Sequence, residues 1–138
     1  MNNKLLKEIE RAKQHLIIVE GKKDCRALEK LGFDNIFVIH ETGKSFPEKI
    51  EQIQEIAGRD KVCILTDFDK KGKKLYLLLK SKFSELGIRM DNTLRGFLLK
   101  EKISHIEGLY KFLQHQNRNN YEKHKNNKNR KNKHKKHR

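Results

Sequence analysis

The segment Val62–Gly72, with the sequence V-C-I-L-T-D-F-D-K-K-G, constrains the fold of this chain more than any other. Its first four residues are an apolar run, which is typical of a strand buried on both faces of a parallel sheet. Asp67 and Asp69 follow the run, and a basic, glycine-containing turn then leads into a helix. Open α/β sheets bind ligands at the carboxyl ends of their strands, so the segment predicts both a fold class and the place of a site.

The rest of the chain alternates between strand and helix patterns. Two further apolar runs, Leu16–Val19 and Ile36–Ile39, predict two more buried strands, and Ile88–Met90 predicts a short fourth strand at the sheet edge. The segments between them have helical spacing, and this order implies right-handed crossovers. We therefore expect an α/β fold with a parallel, doubly wound sheet. The helix after the third run is expected to bury Leu75, Leu78, Leu79 and Leu86.

Positive charge is concentrated at the end of the 138-residue chain, which has a net charge of +15. Residues 114–138 contain seven Lys and three Arg against one Glu, a net charge of +9. Because Tyr121 is the one large apolar residue there, this segment cannot bury enough surface to offset its ordering entropy. We expect an α/β domain at residues 1–113, with its motif core at residues 16–90, and a disordered basic Lys/Asn/His-rich tail at residues 114–138.

The composition favours nucleic acid over a membrane as the partner of this tail. Basic segments bind polyanions through counterion release, and no amphipathic helix accompanies the charge. The alternative is that the tail only keeps the protein soluble. Cys25 and Cys63 form no Cys-x-x-Cys pair, which is typical of free thiols in a reducing compartment. With no signal-peptide pattern and no apolar run near the ~20 residues of a membrane span, we expect a cytoplasmic protein.

Three acids are predicted to meet at one edge of the sheet. Glu20 directly follows the first strand, and Asp67 and Asp69 follow the third. If these strands are neighbours, the three carboxylates can share one cation, and such oxygen ligands suit Mg²⁺, with Mn²⁺ as the alternative metal. We predict that all three are catalytic residues and metal ligands, and that Glu20 also transfers a proton. Asp-x-Asp alone could instead be a polar turn in which Asp69 caps a helix.

Lysines surround these acids and predict contacts with a phosphate backbone. The candidates are Lys22, Lys23, Lys44, Lys70, Lys71 and Lys73. Gly21 and Gly72 are predicted to let the main chain approach a ligand closely. The alternative for the lysines is a pair of solvated helix starts. The scattered spacing of the histidines His15, His105 and His115 predicts no ligand set.

Two short motifs resemble those of a Toprim domain. They are V-E-G-K-K-D at Val19–Asp24 and L-T-D-F-D-K-K-G at Leu65–Gly72, each placed at the end of a predicted strand. The family includes topoisomerases, bacterial primases, a ribosomal-RNA maturation nuclease and the overcoming-lysogenisation-defect nucleases. The chain is similar above all to small stand-alone Toprim proteins of archaea, and its Glu-Gly-Lys is also similar to the maturation nuclease.

The resemblance implies a Rossmann-like parallel sheet of about four strands between helices. It also implies Glu20 as general acid or base, and Asp67 and Asp69 as Mg²⁺ ligands. We expect Mg²⁺-dependent phosphodiester cleavage or phosphoryl transfer on nucleic acid, with structured RNA favoured over DNA by the similarity to the maturation nuclease. The main alternative is a non-catalytic, metal-binding module that docks on RNA or a ribonucleoprotein. A phosphoryl-transfer enzyme acting on nucleotides is the third hypothesis.

Overall fold

The computed structural model describes residues 3–41 and 43–115, in which helices and strands alternate as predicted. The elements in chain order are α1 (Asn3–Ala12), β1 (Leu16–Val19), α2 (Lys22–Glu29), β2 (Ile36–Val38), α3 (Phe46–Ala57), β3 (Val62–Ile64), α4 (Lys70–Leu86) and α5 (Thr93–Lys100). Residues 106–115 are also helical and are called α6. The helix thus includes residues 114 and 115, and the rest of the predicted tail lies outside the described residues.

The sheet has three parallel strands in the order β2-β1-β3. Ile17 pairs with Ile36 of β2 on one side and with Cys63 of β3 on the other. The predicted α/β class with a parallel sheet between helices is confirmed. The first and third strands are neighbours, so the condition on which the meeting of the acids depends is fulfilled.

The predicted fourth strand is reduced to a single parallel bridge between Met90 and Val62. Val62 donates its N–H to the carbonyl of Arg89 at 2.8 Å and accepts the N–H of Asp91 at 2.9 Å. Pairing ends there because α5 already begins at Thr93. The segment between α4 and α5 is therefore too short to form a ladder.

Two apolar clusters cover the two faces of the sheet. Ile17 and Val19 of β1 belong to the cluster that includes α1, α2, α5 and α6, whereas Leu16 and Ile18 belong to the cluster that includes α3 and α4. Successive strand residues point to opposite faces, so every residue of β1 is buried. This double coverage explains why the strands are uninterrupted apolar runs in the sequence.

The predicted buried face of α4 is partly wrong. Leu79 is fully buried and Leu75 is partly buried, but Leu78 is 47 % and Leu86 is 43 % exposed. The large buried side chain that the prediction omits is Phe83, four residues after Leu79. Leu75, Leu79 and Phe83 are four residues apart and form the buried face of the helix. Leu78 and Leu86 lie outside this spacing and are therefore exposed.

Both cysteines are free, as predicted. Cys63 is buried in β3, where burial raises the pKa of its thiol to about 12, and Cys25 is half-buried. None of the helices in the described part of the chain is long and apolar enough to cross a membrane.

Asp91 connects the start of α5 to the end of α1 and to the turn that follows it. Its carboxylate accepts hydrogen bonds from the Thr93 hydroxyl at 2.6 Å, the Thr93 N–H at 3.1 Å and Arg11 at 2.6 Å. Nε2 of His15 lies 3.3 Å away, and the Asp91 side chain is only 9 % exposed. Although burial alone raises it, the hydrogen bonds from Thr93 and Arg11 bring the pKa of Asp91 well below its usual range.

We expect Asp91→Asn to lower the free energy of unfolding by about 1–3 kcal/mol at pH 7, because charged hydrogen bonds are lost. The folded-state pKa of Asp91 lies below the unfolded value of about 3.9. The carboxylate therefore stabilises the fold in full above about pH 3.9, and this stabilisation is lost as the pH falls from there through the folded-state pKa. Urea unfolding at pH 7 and pH 3 should therefore give a smaller difference from wild type at pH 3. The exposed Asp60→Asn is the matched control. An Asp91→Asn difference that is equal at both pH values contradicts the prediction.

Candidate metal centre

Glu20 and Asp67 lie side by side, because they follow the carboxyl ends of neighbouring strands. The backbone N–H of Asp67 donates a hydrogen bond of 2.7 Å to Oε2 of Glu20. Nε2 of His40, which follows β2, lies 3.6 Å from Oε1 of the same carboxylate. The Glu20 side chain is 15 % exposed. The acids of the two predicted motifs are therefore brought together at one edge of the sheet.

Asp67, Asp69 and His105 form a group of converging metal-ligand atoms. One such atom from each residue lies within 4.8 Å of the other two. Nδ1 of His105 is 3.3 Å from Oδ2 of Asp67, and the N–H of Ile106 donates to Oδ1 of Asp67 at 3.1 Å. Two carboxylates and an imidazole are donors that divalent metal ions accept, so this set fits a divalent cation.

His105 is the member of this group that the sequence pattern does not predict. It lies 36 residues after Asp69, immediately before α6, and only the packing of α6 against the sheet brings it to the site. Its hydrogen bond to Asp67 raises the pKa of the His105 imidazole above the ordinary value. Residues 104–107, Ser-His-Ile-Glu, have capping-box spacing, which predicts a helix start there but not its position beside the aspartates.

Glu20 is adjacent to this group but is not a member of it among the described residues. The predicted ligand set of Glu20, Asp67 and Asp69 therefore differs from the observed cluster by the exchange of one residue. Asp69 also caps α4, since its Oδ1 accepts the N–H of Gly72 at 2.7 Å. A carboxylate has about four lone-pair positions, so capping and metal coordination are compatible.

Asp24 adds a fourth carboxylate to this edge. It accepts the N–H of Gly21 at 3.1 Å in the first turn of α2. Burial raises the pKa of Asp24, and the neighbouring charges of Asp67 and Glu20 add to that rise. The edge therefore concentrates negative charge in a partly buried place, where a bound cation is favourable.

Gly72 lets the first turn of α4 pack directly on the Asp-x-Asp loop. A Cβ atom at Gly72 would lie 2.0 Å from the carbonyl oxygen of Asp67. The Thr66 hydroxyl donates to the carbonyl of Gly72 at 2.8 Å and closes the same contact. At Gly72 the close approach is one that the helix makes to its own loop, and the predicted approach to a ligand stays a prediction. At Gly21, the nearest atom to such a Cβ is 4.0 Å away.

Arg95 supports the loop from the protein interior and was not predicted from the sequence. Its guanidinium donates to the carbonyl oxygens of Thr66 at 2.7 Å and Asp67 at 3.3 Å. The guanidinium carbon lies 4.4 Å from the ring centre of Phe68 and 4.1 Å from that of Tyr76. Arg95 is 7 % exposed, and these carbonyls and rings stabilise its buried charge. It is therefore a positioning residue for the backbone between the acids.

The predicted phosphate-binding lysines are all exposed at this edge of the sheet. Two lie in the first turn of α2, three lie in the first turn of α4, and one lies in the loop after β2. In that order they are Lys22 and Lys23, then Lys70, Lys71 and Lys73, and finally Lys44. Their contact with phosphate stays a prediction.

Comparison with known proteins identifies the family. Residues 15–107 match the Toprim domain. The chain belongs to the Toprim family. The match extends past the predicted motif core and includes His105. The resemblance predicted from the two short motifs is confirmed.

Archaeal relatives support the same assignment. The chain is 32 % identical over 117 residues to a UPF0292 protein of Methanocaldococcus jannaschii, which covers 80 % of this Toprim chain and 90 % of that protein. It is 31 % identical over 103 residues to a UPF0292 protein of Methanosarcina barkeri, which covers 71 % of this chain and 68 % of that protein.

Ribonuclease M5 of Mesoplasma florum is 36 % identical over 61 residues, which cover 44 % of this chain and 35 % of that protein.

A solved structure has the same fold. A protein from Aquifex aeolicus superposes with a TM-score of 0.67 at 31 % sequence identity. The superposition covers 78 % of this Toprim chain and 97 % of that structure.

We expect Gly72→Ala to lower the free energy of unfolding by about 2–3 kcal/mol, because the new methyl group overlaps the Asp67 backbone. Gly96→Ala is the matched control, since Gly96 is also helical and a Cβ there meets no atom of the described residues within 4 Å. It should stabilise the protein by about 0.5–1 kcal/mol through helix propensity. Urea unfolding measures both values. Equal effects of the two substitutions would contradict the tight packing at Gly72.

We expect Arg95→Lys to lower the free energy of unfolding by about 1.5–3 kcal/mol, because one ammonium cannot reach all the carbonyls that the guanidinium fork contacts. Arg89→Lys is the control, since Arg89 also donates to a backbone carbonyl, that of Arg59 at 3.2 Å, but is exposed. It should change stability by less than about 0.5 kcal/mol. Thermal unfolding of the two variants provides the comparison, and a tolerated Arg95→Lys rules out the positioning role.

Proposed function

We propose that this Toprim protein is a divalent-metal-dependent enzyme that cleaves or transfers phosphodiesters in nucleic acid, with structured RNA as the substrate. The observation that supports this most is the convergence of Asp67, Asp69 and His105 within 4.8 Å, beside Glu20. Toprim domains bind divalent metals, and the similar protein ribonuclease M5 is by name a ribonuclease. The RNA substrate rests on that similarity.

Asp67, Asp69 and His105 would hold the metal ion. The bound ion supplies charge neutralisation for the phosphodiester and for the developing alkoxide. Mg²⁺ suits the two carboxylates, and Mn²⁺ also accepts the imidazole nitrogen, so both metals fit this mixed set. Two carboxylates side by side are better stabilised with a cation than without one.

Glu20 is the candidate for proton transfer, and it adjoins the metal-ligand group. Its Oε2 is fixed by the N–H of Asp67 at 2.7 Å, which orients the carboxylate and leaves Oε1 to exchange a proton. Nε2 of His40 lies 3.6 Å from Oε1 and is therefore the neighbouring side-chain group of the oxygen that would exchange the proton. The exposed lysines at the starts of α2 and α4 would bind the flanking phosphates.

The second candidate function is a metal-binding module that docks on RNA or a ribonucleoprotein without cleaving it. One observation favours it: Glu20 already accepts a hydrogen bond from the backbone and lies close to an imidazole, so its carboxylate is partly engaged. Such a module would use the same metal and the same lysines.

We expect Asp67→Asn and His105→Ala each to weaken Mn²⁺ binding at least about tenfold, because the first removes the negative charge of a ligand and the second removes a ligand atom, and even outer residues of a metal site contribute about that much. Glu20→Gln should keep the metal but slow cleavage of a labelled RNA hairpin by about 10²–10⁴-fold. Isothermal titration measures the first effect and gel electrophoresis of the RNA measures the second. Asp34→Asn, an exposed acid before β2, is the control for both.

Three outcomes separate the hypotheses. Metal-dependent cleavage that is lost in Glu20→Gln supports the enzyme. RNA binding and metal binding without cleavage in the wild type contradict the enzyme and support the module. A wild type that binds no divalent metal overturns both.

A further inference from the structure

A basic groove lies between α2 and α6, outside the metal-ligand group. It forms a cavity of about 280 Å³, with Lys23, Arg26 and Lys30 on the α2 side and Tyr110 and Lys111 on the α6 side. Among the residues that the structure describes, Glu107 is the one acid in its lining. All four cationic residues are exposed, so their charges are available to a ligand. Three of them, Arg26, Lys30 and Lys111, are not among the lysines predicted from the strand ends.

The cations are arranged in a row rather than scattered. Lys23, Arg26 and Lys30 have the spacing i, i+3 and i+7, which places them on one face of a helix. The row spans about 10 Å at 1.5 Å per residue. Nζ of Lys30 lies 5.1 Å from the ring centre of Tyr110, so the two helices are in contact at that level.

The groove begins at the acids and leads away from them. Helix α2 starts two residues after Glu20, and α6 starts at Ile106, whose N–H donates to Asp67 at 3.1 Å. Both walls therefore have their N-terminal ends at the metal-ligand group. The groove proceeds from Lys23 near the acids towards Lys30. In the sequence, α6 is followed by residues 116–138, with seven Lys and three Arg against one Glu.

We propose that this groove binds the phosphodiester backbone of the nucleic acid where it leaves the metal centre. The inference rests on the proposed function, because it gives the path of the same substrate. A row of cations about 10 Å long is long enough to contact successive phosphates of one strand. Cations from two helices surround this path, whereas a solvated helix face would present them from one.

The test compares two triple variants of the full chain. Arg26→Gln, Lys30→Gln and Lys111→Gln together remove the groove cations beyond Lys23. Arg59→Gln, Lys7→Gln and Lys100→Gln remove one Arg and two Lys from exposed positions outside the groove lining. Both variants lower the net charge by the same amount, so they differ only in where the charge is lost. Far-UV circular dichroism and thermal unfolding verify that both are folded.

Binding of a fluorescent 20-base-pair RNA hairpin is measured by anisotropy in EDTA, at salt concentrations from 50 to 300 mM. The groove variant should weaken binding at least about tenfold at 100 mM salt, and its salt slope should fall by about 2 to 3, at ~0.7–0.9 per lost phosphate contact. The control variant should stay within about twofold of wild type. Equal losses in both variants, or no loss in the groove variant, overturn the proposal.

Because the binding assay is done in EDTA, it tests the groove separately from metal-dependent cleavage. If the groove variant loses affinity but the wild type cleaves no RNA when Mg²⁺ or Mn²⁺ is added, the groove is supported and catalysis is contradicted. If the wild type cleaves RNA and the groove variant binds and cleaves like the control, the groove alone is overturned.

Discussion

The contact between Gly72 and the backbone of Asp67 is the constraint on which the site depends. With no side chain at Gly72, the first turn of α4 lies directly against the loop that follows β3. Asp69 caps that turn at 2.7 Å, and Thr66 bonds to it at 2.8 Å. From the interior, the guanidinium of Arg95 donates hydrogen bonds to the carbonyl oxygens of Thr66 and Asp67 in the same loop. The loop is thus held in place by contacts to its backbone. These contacts fix the directions in which the side chains of Asp67 and Asp69 project from it.

Each of the four carboxylates at this edge accepts a backbone N–H. Glu20, Asp24, Asp67 and Asp69 receive their hydrogen bonds at 2.7, 3.1, 3.1 and 2.7 Å. The donors are, in the same order, the N–H groups of Asp67, Gly21, Ile106 and Gly72. Three of these donors lie at the starts of α2, α6 and α4, where the helix dipole also favours negative charge. The protein thus offsets part of the repulsion itself and leaves other carboxylate oxygens for a cation.

The part of this structure that the sequence predicts is the part governed by local pattern and topology. Leu16–Val19 matches β1 in full, because a strand buried on both faces must be apolar throughout. The meeting of Glu20 with Asp67 follows from parallel strands once β1 and β3 are neighbours. His105 and Arg95 are different, since tertiary packing brings them to the site, His105 from the residue before α6 and Arg95 from α5. Nothing in their local sequence distinguishes them from solvated residues. The local sequence likewise does not show that the predicted fourth strand is only a single bridge at Met90.

Helix α6 joins the candidate metal centre to the basic groove. Its apolar face is buried in the core through Ile106 and Leu109. One end of this helix adjoins His105 and Asp67, and Tyr110 and Lys111 on the following turn line the groove. Because one buried helix contributes to both places, a phosphate bound in the groove would lie at a fixed distance from the metal-ligand group. Such a fixed distance is what positioning a scissile bond requires.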